Sequence, residues 1–270
     1  MESDRPLDRI DTDLVQRATS GDAGAVDEIV TALSRPFYNL ALRMLHHHQD
    51  AEDATQEALV RVVTNLATFR GESRFSTWSW TIATRCVLDF RNGRARRSGV
   101  TAEAFTADLA DGMASTATPD PETSALLGQV KLGCGRAMLQ TLDGDHRVAY
   151  ALGEIMGVDQ RQAAEALGIS DAAYRKRLSR ARSQLRKVLL DSCGIADASN
   201  PCRCARRRER AIELGRLEPR DASDLDVDAL SDKVRDLDQL GQVAAYFEAD
   251  PMINASERLL PRVRQLLNPT

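Results

Sequence analysis

No stretch of the 270-residue sequence approaches the roughly 20 consecutive apolar residues that a membrane-spanning helix requires. The polar, acidic start MESDRPLDRI carries no apolar secretory core, which predicts a cytoplasmic protein without a membrane segment. Cysteine is scarce, and five thiols in such a chain argue against a disulfide framework. There is no phosphate-cradling Walker loop, nucleophile elbow or convincing metal-hydrolase motif, so the chain is not expected to be an enzyme and requires no cofactor. Charge of one sign is also lacking: the net charge is −4 and the pI about 5.7, so nucleic-acid binding is not advertised globally. Local patches are what phosphates feel, however, and basic segments at 85–97, 175–187 and 203–210 alternate with acidic ones.

Residues 13–33 place Leu14, Val15, Ala18, Val26, Ile29, Val30 and Leu33 at helical spacing, interrupted at Ser20-Gly21-Asp22. The pattern predicts a short helix, a turn and a second helix. Pro36 is expected to punctuate that run before Phe37, Leu40, Ala41, Met44 and Leu45 resume it. His46-His47-His48 invites a metal interpretation, but neighbours on a helix point about 100° apart and cannot converge on one ion. A solvated helix end is expected there.

Aromatic residues number twelve, yet Phe69, Phe75, Trp78, Trp80 and Phe90 fall close together. Over the same region, from Arg70 to Arg97, seven arginines oppose Glu72 and Asp89, a local charge of +5. Rings on which bases stack, interleaved with guanidinium groups that track phosphates, suit single-stranded nucleic acid. A helical hairpin with core aromatics fits the composition equally well. Upstream, Asp50, Glu52 and Asp53 favour the positive end of a helix dipole. Gln56 and Glu57 extend the polar face, and Ala54, Ala58, Leu59, Val62, Val63 and Leu66 supply the buried one.

The motif D-A-E-D-x-x-Q-E over 50–57, followed by F-R-G-E-S-x-F-x-T-W over 69–78 and Ile82-Ala83, resembles region 2 of the extracytoplasmic-function (group IV, sigma-70 family) RNA polymerase sigma factors. The resemblance implies that Asp50, Asp53, Gln56 and Glu57 dock on the clamp helices of core RNA polymerase. It implies that Arg70, Gly71, Glu72, Ser73, Arg74 and Trp78 open and hold the −10 element of promoter DNA. Trp78 is either a strand-opening residue or a core tryptophan. Thr55 stands where the family more often has an aliphatic residue, and Arg74 where it has a small or polar one.

Residues 98–128 contain no Lys or Arg, but carry Glu103, Asp108, Asp111, Asp120 and Glu122, and read as a flexible acidic linker. By resemblance such a linker threads the polymerase cleft. Beyond it, Asp159 with Gln162 forms a capping-box pattern, Leu167-Gly168-Ile169 a turn, and Ser170 a second cap, which is helix-turn-helix spacing. Tyr174, Leu178, Ala181 and Leu185 share one face of the second helix, with Lys176, Ser179, Arg180, Ser183 and Lys187 opposite. Residues 161–190 carry eight basic residues against Glu165 and Asp171. The pattern A-E-x-L-G-I-S over 164–170, followed by R-L-x-R-A-R-x-x-L over 177–185, resembles sigma region 4. On that basis Arg161, Arg175, Lys176, Ser179, Arg180 and Arg182 contact the −35 element.

The expected fold is all-α, with two helical domains (1–97 and 129–190), the linker 98–128 between them, and a small helical C-terminal extension (191–270). Simple members of the family end near residue 190. In the extension, Cys193, Cys202 and Cys204 are candidate ligands for zinc or a redox pair, or plain thiols in a Pro-turned connector. Ten acidic residues oppose three basic ones between 217 and 250, so the tail could fold back on basic DNA-binding faces. Leu259, Leu260, Val263 and Leu267 form an expected packed face. The composite points to an initiation factor with core polymerase and promoter DNA as partners and an anti-sigma protein as a candidate regulator. A freestanding helix-turn-helix regulator leaves the 50–57 motif unused, and a metal sensor explains only 193–204.

Overall fold

A computed structural model of the chain describes residues 7, 10–95, 107–108, 121–207, 210, 247 and 252–267. Every regular element among them is helical. Spatially they form two units, residues 1–98 with 151–177 and 252–270, and residues 99–150 with 178–251.

In the first unit, α1 (Thr12–Thr19) and α2 (Ala23–Leu45) are separated by the expected turn. Asp11 accepts from the Leu14 N–H, and Asp22 accepts from those of Gly24 and Ala25, so each helix begins on a carboxylate. The Ala25 N–H bond and the Arg17 guanidinium hold Asp22 below the usual carboxylate range. Pro36 does not end α2. It forfeits the bond to the Ala32 carbonyl, but its fixed φ is helical and its ring is buried, as are all residues from Pro36 to Leu45. The histidine triplet is the expected helix end, with His47 and His48 exposed, and it also joins two helices. His46 closes α2 in the left-handed conformation (φ 51°), and His47 caps α3 (His48–Thr64). His48 Nδ1 lies 2.6 Å from the Tyr38 hydroxyl.

α3 buries Ala51, Ala54, Thr55, Ala58, Leu59 and Val62 against α2 and α4 (Phe75–Ala95). Thr55, the departure noted above, is fully buried because its hydroxyl donates to the Ala51 carbonyl at 2.6 Å. Trp80 on α4 is core, tilted on Phe37 of α2 with centroids 5.5 Å apart. The same unit contains a single π-helical turn (Ala151–Ile155), α7 (Gln160–Ala166), which packs against α4, and the start of α8 (Asp171–Ser192). It also contains α9 (Leu259–Leu267), which rests on α2 and α3. Of the expected packed face, Leu259 and Val263 are buried and Leu260 and Leu267 half-buried.

The second unit holds α5 (Pro121–Leu139), α6 (Gly144–Tyr150) and the rest of α8. α5 begins inside the stretch expected to be linker, with Pro121 as its first residue, where a missing N–H is harmless. Most of the remaining linker and of the acidic stretch 217–250 lies outside the described residues. Buried Arg147 donates to the Gln140 and Leu142 carbonyls, both at 2.7 Å, pinning the α5–α6 turn. After α8 the chain turns back so tightly that a Cβ on Gly194 would sit 2.0 Å from the Cys202 carbonyl oxygen. Asn200 Nδ2 donates to Leu190 O at 2.8 Å and Cys193 O at 3.2 Å, satisfying carbonyls at the helix end. Buried Arg207 pairs with Asp108 at 2.7 Å, which Arg210 also reaches at 3.0 Å.

Truncating Phe37, which is 1% exposed, removes the α2 side of the Trp80 contact. Phe37→Ala is expected to lower the unfolding free energy of the native protein by about 3–5 kcal/mol, measured by urea titration.

Candidate nucleic-acid interface

Three surfaces gather the residues singled out from the sequence. The first is the outer flank of α3. Asp50 lies in its first turn, where its own N–H donates to His47 Nδ1 at 3.3 Å, and Asp53 accepts from Gln49 at 3.2 Å. Glu57 accepts from Arg61 at 2.7 Å, and Arg61 lies 3.9 Å from Asp89 on α4. Gln56 is half-buried, and its Oε1 has no hydrogen-bond partner among the described residues. The four residues recur at helical spacing on one half-exposed strip, an acidic face fit to receive a basic protein surface.

The second surface is the loop between the 3-10 turn Leu66–Thr68 and α4. Gly71 has φ +72° and open space where a Cβ would lie, so it is the backbone conformation that calls for glycine here. Arg70, Glu72 and Arg74 are exposed and Ser73 is half-buried. Behind the loop Phe69, Phe75 and Trp78 form a triangle with centroid distances of 5.4, 5.4 and 5.5 Å. Phe75 is the buried corner, while Trp78 is half-buried and keeps an exposed edge. The trio is therefore both a packing cluster and a partly open aromatic platform. Phe69, counted above in the aromatic cluster but not among the −10 residues, joins them here through its contacts with Phe75 and Trp78 directly before Arg70-Gly71.

The third surface is the α7–turn–α8 segment. Asp159 Oδ1 accepts from the Arg161 N–H at 2.9 Å, Gly168 turns the chain at φ +65°, and Ser170 Oγ accepts from the Ala173 N–H at 3.2 Å. Tyr174 is fully buried, in line with its place on the inner face, together with Leu178, Ala181 and Leu185. Arg161, Arg175, Lys176, Ser179 and Arg180 are exposed. Arg182 is half-buried beside the inner face, so it belongs to the edge of the basic stripe and not to its centre.

Cys193 and Cys202 lie near Cys204, whose thiol is raised by burial first and by these two neighbours second. Among the described residues no group of three or more His, Cys, Asp or Glu side chains is arranged to hold a metal ion. Burial pushes the Cys204 thiol up to about 12 and that of Cys86, on α4, up to about 11.

A family model described as Sigma-70 region 2 matches residues 29–97, and one described as Sigma-70, region 4 matches 134–185. Both matches end before the Cys-containing tail. The RNA polymerase sigma-H factor of Pseudomonas aeruginosa is 32% identical over 183 residues, which cover 66% of this chain and 93% of that protein. The ECF RNA polymerase sigma factor SigE of Mycolicibacterium smegmatis is 30% identical over 176 residues, covering 63% of this chain and 65% of that one. Among solved structures, CnrH in complex with the cytosolic domain of CnrY aligns with a TM-score of 0.48 and 24% identity, over 65% of this chain and 94% of that one.

A thiol with a pKa of about 11 is ionised in only about one molecule in a thousand at pH 8, and only the thiolate alkylates. Cys86 and Cys204 are therefore expected to resist iodoacetamide at pH 8 in the native protein and to label in denaturant, as read by peptide mass spectrometry.

Proposed function

Because the chain belongs to the extracytoplasmic-function branch of the sigma-70 family, we propose a division of labour among its three surfaces in transcription initiation. As an RNA polymerase sigma factor it joins core polymerase and directs it to promoters. The acidic strip Asp50, Asp53, Gln56 and Glu57 is the part that docks on core. The loop Arg70–Arg74 with Trp78 receives the −10 element as single strand. Opening a duplex costs a few kcal/mol per extruded base, and stacking on an aromatic edge beside arginines offsets it. Lys176, Ser179, Arg175 and Arg180 face the −35 major groove, while Arg161 and Arg182 meet the phosphates on either side.

The observation that carries this assignment is the order of surfaces along one chain: an acidic docking strip, an arginine-framed aromatic edge 12 residues beyond Glu57, at Phe69, and a doubly capped helix-turn-helix. A freestanding duplex-binding regulator has use for the last alone. The work is done by binding, with no bond made or broken by the chain itself, and in the cytoplasm, where polymerase and promoter are found. No helix among the described residues is long and apolar enough to cross a membrane.

Purified core polymerase, a promoter template and the full chain are expected to give promoter-dependent transcripts. Duplex binding without any core binding would overturn the assignment. Glu57→Lys is expected to weaken core binding about tenfold, since like charge then faces a basic partner, while leaving duplex affinity unchanged. Lys176→Gln is expected to leave core binding unchanged and to reduce the slope of log affinity against log salt by about 1 on promoter duplex. Trp78→Ala is expected to preserve both affinities and to lower open-complex formation, read by permanganate footprinting of the −10 strand.

A further inference from the structure

The C-terminal segment 252–267 occupies part of the α3 strip to which core docking has just been assigned. Its anchor is Asn39, which is fully buried in the middle of α2. The Asn39 amide meets the backbone of Ile253 on both sides, with Nδ2 donating to Ile253 O at 2.7 Å and Oδ1 accepting from Ile253 N at 3.0 Å. Arg35 donates to the Met252 carbonyl at 2.5 Å. The chain then reaches α3, where the Ser256 N–H donates to Glu52 Oε1 at 3.0 Å. α9 follows, burying Leu259 and Val263 one turn apart.

The charges match as well. Residues 252–267 carry Arg258, Arg262 and Arg264 against Glu257 alone, and they lie on an acidic face. Arg264 forks onto both oxygens of Asp27 at 2.5 and 2.9 Å, and Arg262 lies 3.8 Å from Asp53. The ion pairs are half-exposed and contribute little on their own. Position is set by the paired amide at Asn39 and by the two buried apolar side chains, which makes this a specific seat and not a chance charge contact.

We propose that residues 252–267 are a built-in plug on the polymerase-docking strip, a basic segment of the chain standing where a basic surface of core polymerase binds. The proposal rests on the docking role of α3. Asp53 cannot engage Arg262 and the polymerase at once, and the segment held beside it on Glu52 covers the approach to the strip, so core binding requires the tail to leave. An apparent dissociation constant is the intrinsic one divided by the competent fraction, so a plug seated in nine molecules of ten weakens core binding about tenfold.

The test uses full-length protein and purified core polymerase. Val263→Asp places a charge in the buried seat, and it is expected to raise deuterium exchange in α2 and α3 and tighten core binding about tenfold. Arg264→Asp and Asp27→Arg, both at exposed positions, are each expected to give a smaller gain. The double exchange, which restores an ion pair of reversed polarity, is expected to return affinity towards that of the native chain. Raised α3 exchange with unchanged or weaker core binding, or a double exchange no different from the single ones, would overturn the plug. Adding Glu57→Lys to Val263→Asp separates the two ideas. Loss of the gained affinity supports docking on α3, whereas full retention shows that core binds elsewhere and that the docking assignment has failed.

Discussion

Ten consecutive residues of α2, Pro36 to Leu45, are buried, and a helix buried all the way round needs neighbours on every side. Most of the first unit follows from that need. α1, α3 and α4 each cover part of α2, and the C-terminal segment covers another part. The stretch includes Asn39 and Arg43, polar groups whose burial is tolerable only when they are bonded. Arg43 Nη1 donates to Asn39 Oδ1 at 2.8 Å, and Asn39 in turn donates to Arg35 O at 2.8 Å and pairs with Ile253. The tail thus completes a hydrogen-bonded row that α2 begins, which explains why a segment more than 200 residues away in sequence has a defined seat.

A rigid α2 also sets the geometry of the surfaces beside it. α3 lies along it with Ala51, Ala54 and Ala58 inward, small residues that allow close approach and leave the carboxylates on the outer flank. α4 is held through Trp80 on Phe37, so the neighbouring Trp78 is turned towards the loop and its aromatic partners. Two tryptophans two residues apart thereby take different roles, one core and one edge, because a helix turns about 200° between them. In the second unit the Cys-containing turn serves α8 structurally. Asn200 satisfies its terminal carbonyls and Gly194 permits the close return.

Electrostatics explains how a chain of net charge −4 serves both a protein partner and DNA. Acidic residues concentrate on α3 and basic ones on the outer face of α8, and at physiological salt each patch is felt over roughly 8 Å. Local sign therefore outweighs the total. The same separation allows a short basic tail helix to be held on the acidic strip.

Much of this was legible in the sequence because it depends on near neighbours in the chain. Helical periodicity, the turn at Ser20-Gly21-Asp22, the caps at Asp159 and Ser170, the turns at Gly71 and Gly168, and the inward Tyr174 all follow from spacings of a few residues, and the sigma-factor motifs are of the same kind. Pro36 misled because burial of a continuous apolar run outweighs one lost hydrogen bond. Only the tertiary structure decided which tryptophan is core, that Arg182 sits at the edge of its stripe, that Asn39 is a partner for Ile253, and that a basic tail segment rests on α3. Those outcomes turn on contacts between positions far apart in the chain, and a pattern of local spacings carries no information about which distant surface will satisfy a buried amide or cover an apolar face.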